Sequence, residues 1–116
     1  MPTLGVKQRQ FAQCVGYLIL QAYKMGYQVT LGDAYRDPRV FGHVGTKEGY
    51  GRSKSNHKIR LAIDLNLFKD GEYLEETEDH RPLGEWWERE YGYLGASWGG
   101  HWNDGNHYSF EHNGRR

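Results

Sequence analysis

From about Lys7 to Met25, apolar residues recur at Phe11, Cys14/Val15, Leu18, Ala22 and Met25. That spacing predicts a helix with one buried face, and Gly26 is placed to end it with a left-handed cap. Tyr27-Gln28-Val29-Thr30-Leu31 then alternates and is rich in strand formers, so it reads as a strand. Between Asp37 and Asn56 the periodicity vanishes into Pro38, four glycines and polar residues, which predicts a long loop of the kind that carries function in small domains. Leu61-Ala62-Ile63-Asp64-Leu65-Asn66-Leu67 alternates strictly and predicts a second strand. Asp70-Gly71 is a hairpin turn, with Tyr73-Leu74 as the return strand. Arg81 to Tyr91 predicts a second helix, with Pro82 near its start and Leu83, Trp86, Trp87 and Tyr91 on its buried side. Ser97 to Glu111 mixes glycine with aromatics, as one or two short strands around a turn would. The sum is α+β: a small antiparallel sheet with helices packed on it, in a single domain over residues 1–116 without repeats or linkers.

Composition narrows the class. The chain has 116 residues, 15% of them aromatic, enough for a modest core. A mean hydropathy of -0.90 and 16 glycines fit a wet domain rich in turns. Fifteen basic residues balance fifteen acidic ones, so the basic excess of a nucleic-acid binder is missing. The one basic run, Arg52 to Arg60, is broken by Ser and Asn and reads as a solvated loop. Cys14 is the only cysteine and sits among apolar neighbours, as a buried hydrophobe rather than a nucleophile. No stretch reads as a signal peptide or approaches the ~18 apolar residues of a membrane span, so no membrane insertion is expected and the protein is expected to begin in the cytoplasm. Nothing demands more than a monomer.

The chemistry gathers around two of the six histidines and one aspartate. In the second strand Leu61, Ile63, Leu65 and Leu67 share one face, and Ala62, Asp64 and Asn66 share the other. Asp64, beside the small Ala62, needs a partner or a metal unless its face is wet. His57 precedes the strand. Seven residues of separation cannot put it on the same side of a straight strand, so it must lie off the strand and fold back over that face. The third group comes from Trp102-Asn103-Asp104-Gly105-Asn106-His107. Gly-Asn is turn chemistry, and Asp104 and His107 are the outer residues of that turn, within ~7 Å of each other. Two histidines and one carboxylate with a free fourth position is the arrangement of a catalytic zinc site, and a nearby non-ligand carboxylate supplies a general base.

These residues also resemble a family. Ser55-x-His57, Asp64 after six intervening residues, and the later Asp104-x-x-His107 are similar to the D-Ala-D-Ala carboxypeptidase / L-alanyl-D-glutamate endopeptidase group of zinc peptidases. That group includes many phage endolysins and shares its fold with the hedgehog signalling domain. Trp98-Gly99-Gly100-x-Trp102 and Tyr35-Arg36 resemble its endolysin branch. The resemblance runs from about Tyr27 to Glu111, with Asn106 where the family often has proline. It implies Zn2+ on His57, Asp64 and His107, and Asp104 as catalytic acid/base. Arg36 would bind a substrate carboxylate or the developing oxyanion, and Ser55 would help hold substrate. The implied partner is the stem peptide of bacterial peptidoglycan, reached from the host cytoplasm after holin-type release.

Blander roles stand beside these. Arg36 could pair with Asp33 or Asp37 on the surface, and Ser55 could be a turn or capping residue. His43, His80, His101 and His112 read as surface or packing residues, with His101 and His112 as fallback ligands if His107 is not one. Trp86-Trp87 reads as core packing, although one ring could face outward and stack on glycan. Two other functions fit the same motifs: a cytoplasmic D-Ala-D-Ala dipeptidase, and a non-catalytic zinc-binding phage structural domain.

Overall fold

The computed structural model describes residues 3–34 and 56–116. Helix α1 spans Leu4–Lys24, one turn longer at its start than the apolar spacing predicts. Thr3 is the reason: its side-chain oxygen accepts from the Val6 amide at 3.2 Å, capping a donor the helix leaves unsatisfied. The far end closes as the glycine predicts. Gly26 has φ +93, Tyr27 N donates to Ala22 O at 3.0 Å, and Gly26 N donates to Tyr23 O at 3.1 Å. Phe11, Cys14, Val15, Leu18 and Ala22 are buried as expected, and Met25 packs at their edge.

Five strands form one antiparallel sheet: β1 (Gln28–Leu31), β2 (Ala62–Lys69), β3 (Glu72–Leu74), β4 (Ala96–Trp98) and β5 (His107–Phe110). The fold class is therefore the α+β arrangement read from the chain. β2 is the spine. β1 lies along one edge, while β5 and β3 take the other edge in succession, with β4 outside β5. Asp70 (φ 51) and Gly71 (φ 80) form the two-residue turn between β2 and β3, both in the left-handed conformation this hairpin requires. Leu61, Ile63, Leu65 and Leu67 all face the core, as their alternation predicts. Ala62, on the other face, is buried as well, so that face is only partly wet.

Helix α2 (Arg81–Tyr91) starts and ends where predicted and covers the β4–β5 end of the core. Trp87 is its anchor. The ring is fully buried, stacks on Phe110 with centroids 5.5 Å apart, and its Nε1 donates to the carbonyls of Ser97 and Ser109, each at 3.2 Å. Trp86 is half-buried, so the pair is mainly core.

Among the described residues four short 3-10 helices were not visible in the sequence pattern: Asn56–Ile59, Thr77–His80, Gly92–Leu94 and Gly99–Trp102. The first corrects part of the expectation of a solvated basic loop over Arg52 to Arg60: Asn56, His57 and Lys58 are all buried, Arg60 is exposed, and residues 52–55 lie outside the described residues. Asn56 explains the burial of this turn. It is fully enclosed, and its Nδ2 donates to Phe110 O at 2.7 Å and Arg115 O at 2.9 Å, tying the turn to β5 and the chain's end. Among the described residues no helix is long and apolar enough to cross a membrane.

Candidate metal centre

Asp64 sits in the middle of β2, and its cross-strand partner in the register is His107, the first residue of β5. Directly paired residues of antiparallel strands project to the same face with Cβ atoms about 5 Å apart, so this register alone brings carboxylate and imidazole together. Backbone bonds on both edges fix the pairing. Gly32 N donates to Asp64 O and Asp64 N to Asp33 O, both at 2.8 Å, while Leu65 N donates to Asn106 O at 2.9 Å. His57 arrives from the 3-10 turn that precedes β2, off the strand and folded over Asp64.

The three groups converge. Asp64 Oδ1 lies 3.2 Å from His57 Nε2 and 3.6 Å from His107 Nδ1, and the two imidazole rings meet edge to face at 5.1 Å. One ligand atom from each of His57, Asp64 and His107 lies within 4.8 Å of the others, and the two histidines are buried. Burial by itself would raise the Asp64 pKa, but the two adjacent imidazoles outweigh it and bring it down to about 2.

A cation fits this donor set. Asp64 Oδ1 is buried and accepts no hydrogen bond from the described residues, although two imidazole nitrogens surround it. An acceptor left in that state is costly, whereas two nitrogens and a carboxylate oxygen are the ligand types zinc prefers.

Asp104 stands at the rim. His107 N donates to Asp104 O at 3.1 Å, closing the predicted turn, and Asp104 Oδ2 lies 3.9 Å from His107 Nδ1. Its side chain is 51% exposed, so the carboxylate is open to an incoming molecule. The turn is held from behind. Asp104 N donates to Gly99 O at 2.9 Å, and the indole Nε1 of Trp98 donates to Gly105 O at 2.7 Å. Trp98 itself is clamped between Gly84 of α2 and Gly100, where an added Cβ would approach the indole to 2.2 Å on either side. The Trp98-Gly99-Gly100 run is thus a packing device beneath the turn.

His101 and His112 are not in the cluster. His101 Nε2 lies 2.8 Å from Glu88, and His112 pairs with Arg115 through the backbone. His80 is buried, with Nδ1 2.9 Å from the Tyr108 hydroxyl. Sequence reasoning treated it as packing and missed that it borders a polar cleft of about 190 Å³ shared with Asp104. Only its position just before the Pro82 helix start could have drawn attention to it. Arg36, Ser55 and His43, with nearly all of the predicted loop, lie outside the described residues.

Fold and cluster together define a class, a small α+β domain with a candidate single-metal centre and a free carboxylate beside it. The family follows from comparison. Residues 48–110 match the family described as D-alanyl-D-alanine carboxypeptidase. This is more than half of the chain and includes His57, Asp64, Asp104 and His107. The chain belongs to this M15 family of peptidases and is a peptidase for peptidoglycan-like substrates. The match begins later than the resemblance read from Tyr27 and does not reach Tyr35-Arg36. No curated protein matches the chain.

Proposed function

We propose that this protein is a zinc-dependent peptidoglycan hydrolase of the endolysin type. It would cut an amide bond of the cell-wall stem peptide as an L-Ala-D-Glu endopeptidase or a D-Ala-D-Ala carboxypeptidase. The observation that carries the reading is the convergence of His57, Asp64 and His107 with Asp104 left over beside them. A purely structural zinc site usually takes all four positions from protein ligands and needs no spare base, which speaks against the non-catalytic alternative.

His57, Asp64 and His107 would hold the zinc. When bound, the ion supplies Lewis acidity to the scissile carbonyl and the attacking water. Asp104 takes the proton of that water and returns it to the leaving amine, a role open to it because its carboxylate is exposed and near the ligands without belonging to them. Arg36 would share the charge that develops on the carbonyl oxygen, and Ser55 would help position substrate. The half-exposed Asp104 also favours a polymeric substrate over a free dipeptide, which a closed pocket would suit better. The enzyme would act in the wall after holin-type release from the host cytoplasm.

The test is turbidity loss of purified Gram-negative peptidoglycan with and without a chelator, followed by mass spectrometry of the fragments. Chelator-sensitive lysis supports the reading, and the new termini name the bond. Zinc-loaded protein that leaves the sacculi intact but splits D-Ala-D-Ala would make it the dipeptidase instead.

A further inference from the structure

The cleft beside Asp104 is walled by the 3-10 segment Thr77–His80, its preceding residues, and the turn that carries Asp104. The two sides touch closely, since a Cβ on Gly105 would lie 2.6 Å from Thr77 Cα. His80 is the buried histidine of that wall, 3% exposed, and it ends the 3-10 segment where α2 begins.

Its hydrogen bonding fixes which nitrogen carries the proton. Tyr108 is fully buried, and its hydroxyl meets His80 Nδ1 at 2.9 Å. A phenol in so dry a place needs an acceptor for its proton, and among the described residues Nδ1 is the only polar atom paired with it. Tyr108 therefore donates and Nδ1 accepts. A neutral imidazole has one N–H, so the proton lies on Nε2. Burial also keeps His80 neutral, lowering it to about 4 against a smaller opposing effect of Asp79. Nε2 has no partner of its own among the described residues, and His80 borders the cleft.

We propose that His80, locked by Tyr108 as the Nε2–H tautomer, presents a neutral hydrogen-bond donor to the cleft beside Asp104 and there binds a peptide carbonyl of the substrate. The other lining side chains select the kind of acceptor. Glu75, Glu76 and Asp104 repel a carboxylate, while a neutral carbonyl is unaffected by them. His80 is then a substrate-positioning residue, reading one backbone carbonyl next to the bond that Asp104 serves. This role rests on the peptidase reading above.

Two measurements test it. In the zinc-loaded protein, nitrogen-15 NMR of the histidine rings should show His80 as the Nε2–H tautomer, and the Nδ1–H tautomer would overturn the proposal whatever the enzyme does. Kinetics then use a synthetic stem pentapeptide containing both the L-Ala-D-Glu and the D-Ala-D-Ala bonds. His80→Leu should raise KM about tenfold, the value of one neutral hydrogen bond, with kcat changed far less. His80→Gln, which restores an N–H donor, should recover most of that loss. An unchanged KM in His80→Leu ends the positioning role and leaves the peptidase reading intact. Wild-type protein that never cleaves the pentapeptide ends both. If His80→Leu does not fold, pentapeptide is added to labelled Asp104→Ala protein, where an unmoved His80 Nε2 resonance refutes the contact and a shifted one supports it.

Discussion

Replacing Gly99 with alanine should damage the candidate metal centre without altering any group proposed to take part in chemistry. A Cβ built there lies 2.2 Å from Asp104 O and 2.7 Å from His107 Cβ. Ordinary contacts of this kind sit near 3.5 Å, so something must give by about 1 Å. Neither neighbour is a flexible tip. Asp104 O accepts from His107 N within the turn, and His107 is held in register with Asp64. Overpacking of this kind costs about 1–3 kcal/mol, and the upper end applies where backbone must yield. At roughly 4 °C per kcal/mol for a domain of this size, the melting temperature falls by about 10 °C. Whatever relief the chain finds moves the Asp104–His107 turn, and a misplacement near 1 Å costs about a hundredfold in turnover. Gly92→Ala is the control. Nothing lies within 4 Å of a Cβ there, and the backbone is already helical at φ -56 and ψ -33. That variant should be neutral or gain up to about 1 kcal/mol. Thermal melts, zinc titration calorimetry and pentapeptide turnover of the two variants decide the matter. If Gly99→Ala melts, binds zinc and turns over like Gly92→Ala, the close approach beneath the turn is not a feature of the molecule and the reasoning fails.

Asp104→Ala should bind zinc as the parent does and lose about 10²–10⁴ in turnover, and retained activity would mean that another group is the base. Zinc at about a hundred times its Kd should stabilise the parent by about 2.7 kcal/mol in thermal melts, and His57→Ala should abolish that gain; a variant that keeps it would remove His57 from the ligand set. His80 sets a pH window in metal-free protein. Its folded pKa of about 4 lies below the ordinary 6.5, so the unfolded chain binds the proton first as pH falls. The stability it contributes is complete above pH 6.5, declines toward pH 4, and totals about 3 kcal/mol. Denaturant titrations of His80→Leu should flatten the decline in that interval, and an unchanged slope would refute the assignment. Asp64 acts in a lower window, between its ordinary 3.8 and about 2, so the two contributions separate on the pH axis.

What could be read from the sequence was local. The α1 stripe, the alternation of β2, the Asp70-Gly71 hairpin and the Asp104–His107 turn are each specified by residues within a few positions of one another, and each forms where expected. What could not be read depends on pairings between distant segments. Nothing near Asp64 says that its cross-strand partner is His107, although that register brings two of the three candidate ligands to one face. Asn56 looked like the last residue of a loop because its bonds run to Phe110 and Arg115. His80 looked like packing because the Tyr108 hydroxyl that orients it belongs to another strand. These hidden contacts have a common feature. Asn56 Nδ2 bonds the Phe110 carbonyl, Leu65 N bonds Asn106, Trp98 Nε1 bonds Gly105, and His80 bonds Tyr108. All of them end on β5 or on the turn that enters it. The strand that carries His107 is therefore the reference to which the 3-10 turn of His57, the strand of Asp64 and the cleft wall are aligned. Loosening β5 should disperse the whole centre, whereas trimming any single ligand should remove only that ligand.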